Sequence, residues 1–336
     1  MTIDDFFTVR VERIASGGAG VARVPVPGKP GRPAPEGGMA VFTGFTAPGD
    51  LARVKIKSIH KNWAEAELAG IEEPSPDRAV PACPSYGRCG GCSLQHLKYE
   101  AQLAEKKAVL KDALARIGLF ANLPEIRTVP SPPYAYRNRV RFHRDPVSGK
   151  TGFKGRKSGE IVPVEDCPVA VGPIRTFLKN SRAEGALGAR FALYSREDIL
   201  LCEPPGSPQY PSRGRIPVLD REIRADAGLF FQSNAETLEK LIPHLLSAAE
   251  KADPRLPAAD IYCGVGTFAV FLQERFGCLD LVEENKTALV LARENTGGRG
   301  RRYWLMFPAI PRPWPAIAGR WKTGATGWNP LLFTIF

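Results

Sequence analysis

Residues 258–283 read as a strand, a glycine-bearing loop, a short helix and a second strand, and no other feature restricts the fold as much. Ala258 to Tyr262 is an extended run, and the following loop carries Gly264 and Gly266. Residues 268–276 have a helical apolar pattern, 278–283 is apolar again, and Lys286–Asn295 reads as a further helix. Two strands joined by a helical crossover run parallel, because the connection returns the chain to the end where it started. Part of the chain is therefore a parallel α/β domain, and purely α or purely β architectures are excluded.

The loop Asp260-Ile261-Tyr262-Cys263-Gly264-Val265-Gly266-Thr267 lies where strand meets helix. Its glycines let the backbone approach a ligand, and a helix N-terminus favours an electron-rich group. Glu283, at the end of the next strand, is placed to accept bonds from ribose hydroxyls. Gly264-x-Gly266-x-x-Ala269 also satisfies the relaxed dinucleotide fingerprint. The loop indicates an adenosine-containing cofactor, and both adenosylmethionine and NAD remain open.

Seven cysteines are too few for a disulfide scaffold, yet Cys83, Cys89 and Cys92 fall within ten positions. Such a cluster points to a metal site or redox chemistry before it points to disulfides. Gly87, Gly90 and Gly91 allow the backbone to wrap tightly around one centre. Cys167, followed by Pro168, is the best candidate for a fourth ligand. Four thiolates suit a [4Fe–4S] cluster and also suit structural zinc. The four histidines, at 60, 96, 143 and 244, show no ligand spacing. Cys263 and Cys278 fit apolar strand surroundings as core residues. Cys202-Glu203-Pro204-Pro205 reads as an ordinary turn.

The formal net charge of +11 favours polyanionic partners, since basic side chains that neutralise phosphates release counterions. The charge is uneven. Between 134 and 160, Arg137, Arg139, Arg141, Arg144, Lys150, Lys154, Arg156 and Lys157 face only Asp145 and Glu160. No apolar run approaches the roughly 18 residues of a membrane span, and residues 1–13 are no signal peptide. The expectation is a soluble cytoplasmic monomer with no membrane partner.

Residues 1–73 alternate apolar and polar positions in about five short strands, as in an OB-like barrel. The segment 25–38, with five prolines and four glycines, is a long loop. A helix follows over 97–118, short β-like runs occupy 124–223, and a second helix opens at Asn234, with Pro243 placed to kink it. Beyond Asn295 the texture changes. No Asp or Glu occurs after Glu294, six basic residues accumulate, and Trp304, Trp314, Trp321 and Trp328 fall there without periodicity. An α/β sheet is expected to continue here, and by this reading it does not.

Taken together these motifs resemble the RNA uridine C5-methyltransferases, specifically the branch acting on 23S ribosomal RNA. The resemblance runs over roughly 6–295. It includes the barrel, the Cys83–Cys92 segment with Gln95-His96, Tyr136-Arg137-Asn138-Arg139, Cys167-Pro168, Phe230-Phe231-Gln232-Ser233-Asn234, the 262–267 loop and Val282-Glu283. It implies a multidomain α/β chain. An OB-like TRAM barrel would occupy 1–73, and a central mixed, β-rich iron–sulfur and RNA-facing domain 74–225, its helix 97–118 packing on the catalytic domain. The first part of a Rossmann-like class I methyltransferase domain would occupy 226–296, and 297–336 would be an anomalous tail.

The resemblance further implies that Cys83, Cys89, Cys92 and Cys167 hold a [4Fe–4S] cluster. Gln232, Tyr262, Gly264, Gly266, Thr267 and Glu283 would line an S-adenosyl-L-methionine site. Arg137, Arg139, Arg141, Lys154 and Arg156 would grip RNA, ribosomal RNA being favoured over transfer RNA, with the target uridine flipped into the pocket. In this family a cysteine thiolate adds to uracil C6 and activates C5 for attack on the sulfonium methyl. The Ser-Cys-x-Pro nucleophile, the preceding Asp-Pro-Pro-Arg loop and the later glutamate base have no counterpart after Glu294. The expectation is a frameshifted or truncated relative, inactive as it stands, whose sheet keeps two strands. The alternatives are a non-catalytic RNA-binding iron–sulfur protein and a zinc-stabilised NAD enzyme.

Overall fold

The computed structural model of this chain describes residues 1–26, 37–145, 147–180, 189–204, 210–298 and 301–305. Most of the loop 25–38, and Trp314, Trp321 and Trp328 of the tail, lie outside them. The chain divides into two compact units, Met1–Pro130 with Gly152–Val164, and Ser131–Thr151 with Glu165–Phe336. The first unit holds β1 (Phe6–Arg10), β2 (Arg13–Ile14), β3 (Ala19–Val24), β4 (Met39–Gly44), β5 (Leu51–Ile59), β6 (Trp63–Glu73) and α1 (Tyr99–Arg116). The chain enters the second unit for β7 (Arg139–Arg144) and returns to the first for the hairpin β8 (Thr151–Lys154) and β9 (Ile161–Pro163). The region 74–225, read from sequence as one central domain, is thus shared between the units.

The N-terminal strands form the order β1-β5-β6-β4-β3-β2, antiparallel except for β4 beside β6. β1 and β2 are successive stretches of one extended segment. The Val11 N–H between them donates to Asp50 O (2.9 Å) and the Glu12 N–H donates to Val21 O (2.8 Å). The sheet therefore closes into a five-stranded barrel, and closure removes its edges. Period-two patterning sets its faces: on β5, Ala52, Val54 and Ile56 are fully buried inside while Arg53, Lys55 and Lys57 alternate with them. The α1 helix belongs to this unit, and its Glu105 carboxylate accepts the Ile14 N–H (2.8 Å). Asp50, fully buried, accepts from the Ala47 and Ser75 amides and from Arg78, tying the barrel to the chain that leaves it.

The second unit adds α2 (Gly172–Asn180), β10 (Arg190–Arg196), β11 (Ile199–Glu203), β12 (Arg213–Val218), β13 (Arg221–Asp226) and α3 (Ala235–Ala249). β10 pairs antiparallel with β7 and β11, and β12 with β13. The sequence reading missed α2. Gly172-Pro173 looked like loop punctuation, but proline suits the first turn of a helix, and Ile174, Phe177 and Leu178 make one buried face. Pro243 lies inside α3 without interrupting it, on an exposed position.

β14 (Ala258–Ile261), α4 (Ala269–Leu272), β15 (Leu279–Glu283), α5 (Lys286–Asn295) and β16 (Arg301–Leu305) complete the described chain. The strands form a parallel sheet in the order β14-β15-β16, with β15 central and buried throughout. The expectation that the sheet stops at two strands is corrected here. Within the segment read as an anomalous tail, β16 pairs in register with β15. Asp280, 3% exposed, accepts from Arg302 Nε (2.6 Å) and Nη2 (2.9 Å) and from Trp304 Nε1 (3.1 Å). Tyr303, on the opposite face, packs into the core around Leu279 and Leu281. Arg302, Tyr303 and Trp304 thus alternate as a strand, a period hidden in the sequence by their size and charge.

Candidate cofactor and RNA-binding site

The 262–267 loop follows β14 at the carboxyl end of the parallel strands, where open α/β sheets bind ligands. Tyr262, Gly264 and Gly266 all have positive φ, at 62°, 55° and 80°. For tyrosine that backbone conformation is uncommon, and such strain collects at functional positions. The Tyr262 side chain is mostly exposed. A Cβ at Gly266 would stand 3.1 Å from Ala292 on α5, so glycine there lets loop and helix meet, whereas the space around Gly264 is open. Thr267 is buried, and Asn295 holds the loop by donating to Val265 O (2.8 Å).

Glu283 organises this loop. Its Oε2 accepts the Gly264 N–H (2.9 Å) and its Oε1 the Asn285 N–H (2.9 Å). The carboxylate expected to meet ribose hydroxyls therefore bonds the loop that bends around it, and each oxygen keeps a further lone pair. Beneath lies Asp260, whose carboxyl burial pushes up to about 7, with Glu283 adding to the rise; its Oδ2 has no partner among the described residues. The sequence reading opens the ligand-loop motif at this acid without giving it a role; its signal is a lone carboxylate in an apolar strand. Burial also pushes the Cys263 thiol far up, consistent with a core cysteine.

Gln232 reaches the same unit by another route. It is half-buried between Phe231, packed in one core with Val265 and against Tyr194 (5.3 Å), and Asn234, which caps α3 by accepting the Thr237 N–H (3.1 Å).

Cys83, Cys89 and Cys92 lie in a loop of the first unit. Gly90 N–H donates to Lys154 O (3.0 Å) and Arg156 N–H to Arg88 O (3.1 Å), so the β8–β9 hairpin clamps the loop. Burial raises the Cys89 thiol, and the nearby Cys92 and Cys83 add to the rise. His96 Nε2 bonds the Thr46 carbonyl (3.0 Å) and so carries the proton. That leaves Nδ1 to accept from Tyr86 Oη (2.6 Å), which fixes the loop to the barrel. Burial lowers the His96 pKa, in keeping with a neutral ring. Cys167 belongs to the second unit, where neighbouring Asp166 holds Arg175. Among the described residues no group of three or more His, Cys, Asp or Glu side chains is arranged to hold a metal ion.

The basic stripe is divided between the units. Lys154, exposed, and Arg156, stacked over Phe45 at 4.8 Å, lie in the first; Arg137, Arg139 and Arg141 lie in the second. Arg137 and Arg139 are half-buried and spend donors on Arg139 O (3.1 Å) and Ala227 O (3.2 Å), while Arg141 is exposed. No described helix is long and apolar enough to cross a membrane.

Residues 5–69 match the TRAM domain family. An uncharacterized RNA methyltransferase of Treponema denticola is 32% identical over 77% of this chain and 65% of its own length. The 23S rRNA (uracil(1939)-C(5))-methyltransferase RlmD of Shewanella denitrificans is 28% identical over 73% of this chain and 66% of its own. The chain thus spans just under two thirds of the length of these relatives. In fold it is similar to the Pyrococcus abyssi tRNA (uracil-54, C5)-methyltransferase, solved with S-adenosyl-L-homocysteine. That likeness has a TM-score of 0.59 at 20% identity, over 89% of this chain and 79% of the other. The chain carries a TRAM domain and, over most of its length, is homologous to the RNA uracil-C5 methyltransferases.

Proposed function

We propose that this chain carries the RNA-gripping and S-adenosyl-L-methionine-binding parts of a methyltransferase that modifies uridine C5 in RNA, with ribosomal RNA favoured and transfer RNA the second choice. The observation that carries the reading is the loop at the carboxyl end of β14 and β15, folded around the Glu283 carboxylate by the Gly264 and Asn285 amides. In this reading the three-stranded sheet is the first half of a Rossmann-like domain. Tyr262, Gly264, Gly266, Thr267, Glu283 and Gln232 border the cofactor, whose sulfonium supplies the methyl group. The relatives' names and the cofactor product bound to the solved neighbour support it.

Cys83, Cys89, Cys92 and Cys167 would hold a [4Fe–4S] cluster. Three thiols in a glycine-rich loop clamped by the β8–β9 hairpin suit such a group, and it would order the RNA-facing loop rather than take part in methyl transfer. With no cysteine after Cys278 and no Asp or Glu after Glu294, these 336 residues are expected not to transfer the methyl group by themselves. That same observation favours the second reading, an RNA-binding iron–sulfur protein without turnover.

Calorimetry with S-adenosyl-L-homocysteine tests the cofactor site. Binding by the wild type, weakened about tenfold or more in Glu283→Gln, supports it, whereas equal affinities refute the role of Glu283. Iron and acid-labile sulfide in anaerobically purified protein would support the cluster, and zinc without sulfide would overturn it. Formation of 5-methyluridine by this chain alone would overturn the expected inactivity.

A further inference from the structure

Residues 135–138 are hydrogen-bonded along both sides within the second unit. On one side the Ala135 N–H donates to Pro168 O (2.9 Å), the Arg137 N–H to Val169 O (2.7 Å), and the Val171 N–H to Arg137 O (3.0 Å). This is a parallel bridge to Ala170, whose N–H closes the loop on Cys167 O (2.9 Å). On the other side the Asn138 N–H donates to Ser233 O (3.0 Å), and Arg137 bridges Asn234 antiparallel. The Ser195 N–H then donates to Asn138 O (2.8 Å), which anchors the segment to β10. Asn234 Nδ2 returns to Ser131 Oγ (3.0 Å).

Gln232 is thus held between two fixed points. Phe231 is set in the core, and Ser233 and Asn234 are set by the strand at 137–138. The Cys167 loop meets that same strand on its opposite side. The links are backbone hydrogen bonds on the two edges of one short segment, so the Val169 and Ser233 carbonyls are held by adjacent residues, Arg137 and Asn138.

We propose that residues 135–138 form a positioning strand that couples the loop 167–170 to the Gln232 segment, so that how firmly that loop is held sets ligand affinity at Gln232. The inference rests on the reading of Gln232 given above, and it deepens that reading by naming the backbone that holds Gln232 in place. Arg137 and Asn138 are positioning residues here, acting through their main chain.

The test is amide hydrogen exchange on the full chain, purified anaerobically, for wild type, Pro168→Gly and Cys167→Ser, with S-adenosyl-L-homocysteine affinity measured on each. Pro168→Gly loosens the loop without removing a thiol, so its iron content should match the wild type. The expected result is exchange accelerated at least tenfold at Arg137 and Val171 and also at Asn138, Thr237 and Leu238. The β5 amides should stay unchanged, and affinity should fall three- to tenfold. Acceleration that stops at Arg137 and Val171, or accelerated exchange at Asn138 with unchanged affinity, overturns the coupling. Should Pro168→Gly unfold, Ser131→Ala loosens the strand from its other end, and unchanged exchange at Asn138 and Thr237 there also overturns it. A wild type that binds no S-adenosyl-L-homocysteine refutes the cofactor reading, while the exchange pattern still decides the coupling.

Discussion

The barrel and the parallel sheet solve the same problem in opposite ways. The barrel closes its ladder on itself, and its interior, from Val9 to Ala64, is apolar throughout. The described parallel sheet has three strands, the outer strand β14 is only half-buried, and acidic residues line its strands: half-buried Asp260 and buried Asp280 and Glu283. The barrel unit keeps its fully buried charge, Asp50, just before β5, where the Ala47 and Ser75 amides and Arg78 satisfy it. The sheet carries carboxylates because its strand ends shape a site and because Asp280 fixes the register of β16. Stability in the barrel core therefore rests on volume, while in the sheet paired polar groups add to the apolar core around Leu279 and Leu281.

That contrast is broken most sharply by Ile56→Ala. Ile56 is fully buried at the barrel centre, so removing it costs about 4 kcal/mol, since the closed barrel cannot collapse onto the cavity. Urea unfolding followed by exchange of the β5 amides should show the loss confined to the barrel transition. An equal loss at β15 would mean that the two regions unfold as one. Next in size is Asp280→Ala, which strands Arg302 and Trp304 beside a buried strand and should cost about 2–3 kcal/mol. Its loss should appear as exchange at β15 and β16. A variant as stable as the wild type would show that β16 is held by its backbone bonds alone.

The pH dependence separates the regions further. The Asp260 carboxyl, pushed up to about 7 in the folded chain, has an ordinary value of 3.8 when exposed. Between those limits the folded state holds a proton that the unfolded state releases, so this group's contribution to stability is present below about 4 and lost as pH rises towards 7. Asp260→Asn should flatten that decline for the sheet transition and leave the barrel transition untouched. Parallel curves for wild type and variant would show that Asp260 ionises normally.

How much of this could be read from sequence follows the same division. The barrel was legible because alternation on β1 and β5 is a local signal. The 262–267 loop was legible because glycines at a strand–helix junction have few other uses. Three features were not. α2 begins with Gly172-Pro173, which also punctuates loops. β16 hides its period in Arg302, Tyr303 and Trp304, whose partner Asp280 lies on another strand. The basic stripe at 134–160 is contiguous in sequence but divided between two units, and Arg137, Arg139 and Arg144 spend donors on backbone carbonyls. For β16 and for Arg139, bonded to Ala227 O, what decides the structure is a partner distant in the chain, and a single sequence does not name it. Glu283 is the instructive middle case: its spacing from Gly264 marked it, but its bonds to the two loop amides required the fold.

The smallest effect sharpens the comparison from the barrel's outer side. Lys157, on the β8–β9 turn, pairs with Glu65 of β6 at 2.9 Å, with both side chains open to solvent. An exposed pair of this kind gains little in high dielectric and gives up side-chain freedom, so Glu65→Ala should change barrel stability by about 0.5 kcal/mol or less. The same substitution frees the Lys157 ammonium beside exposed Lys154, so affinity for a ribosomal RNA fragment should rise slightly and its salt dependence steepen by less than one ion. Stability unchanged with RNA affinity raised would place the polyanion-facing charge on the hairpin that clamps the cysteine loop. A barrel destabilised by several kcal/mol would instead mean that surface charge, not interior volume, holds the first unit together, and the contrast with the sheet would fail.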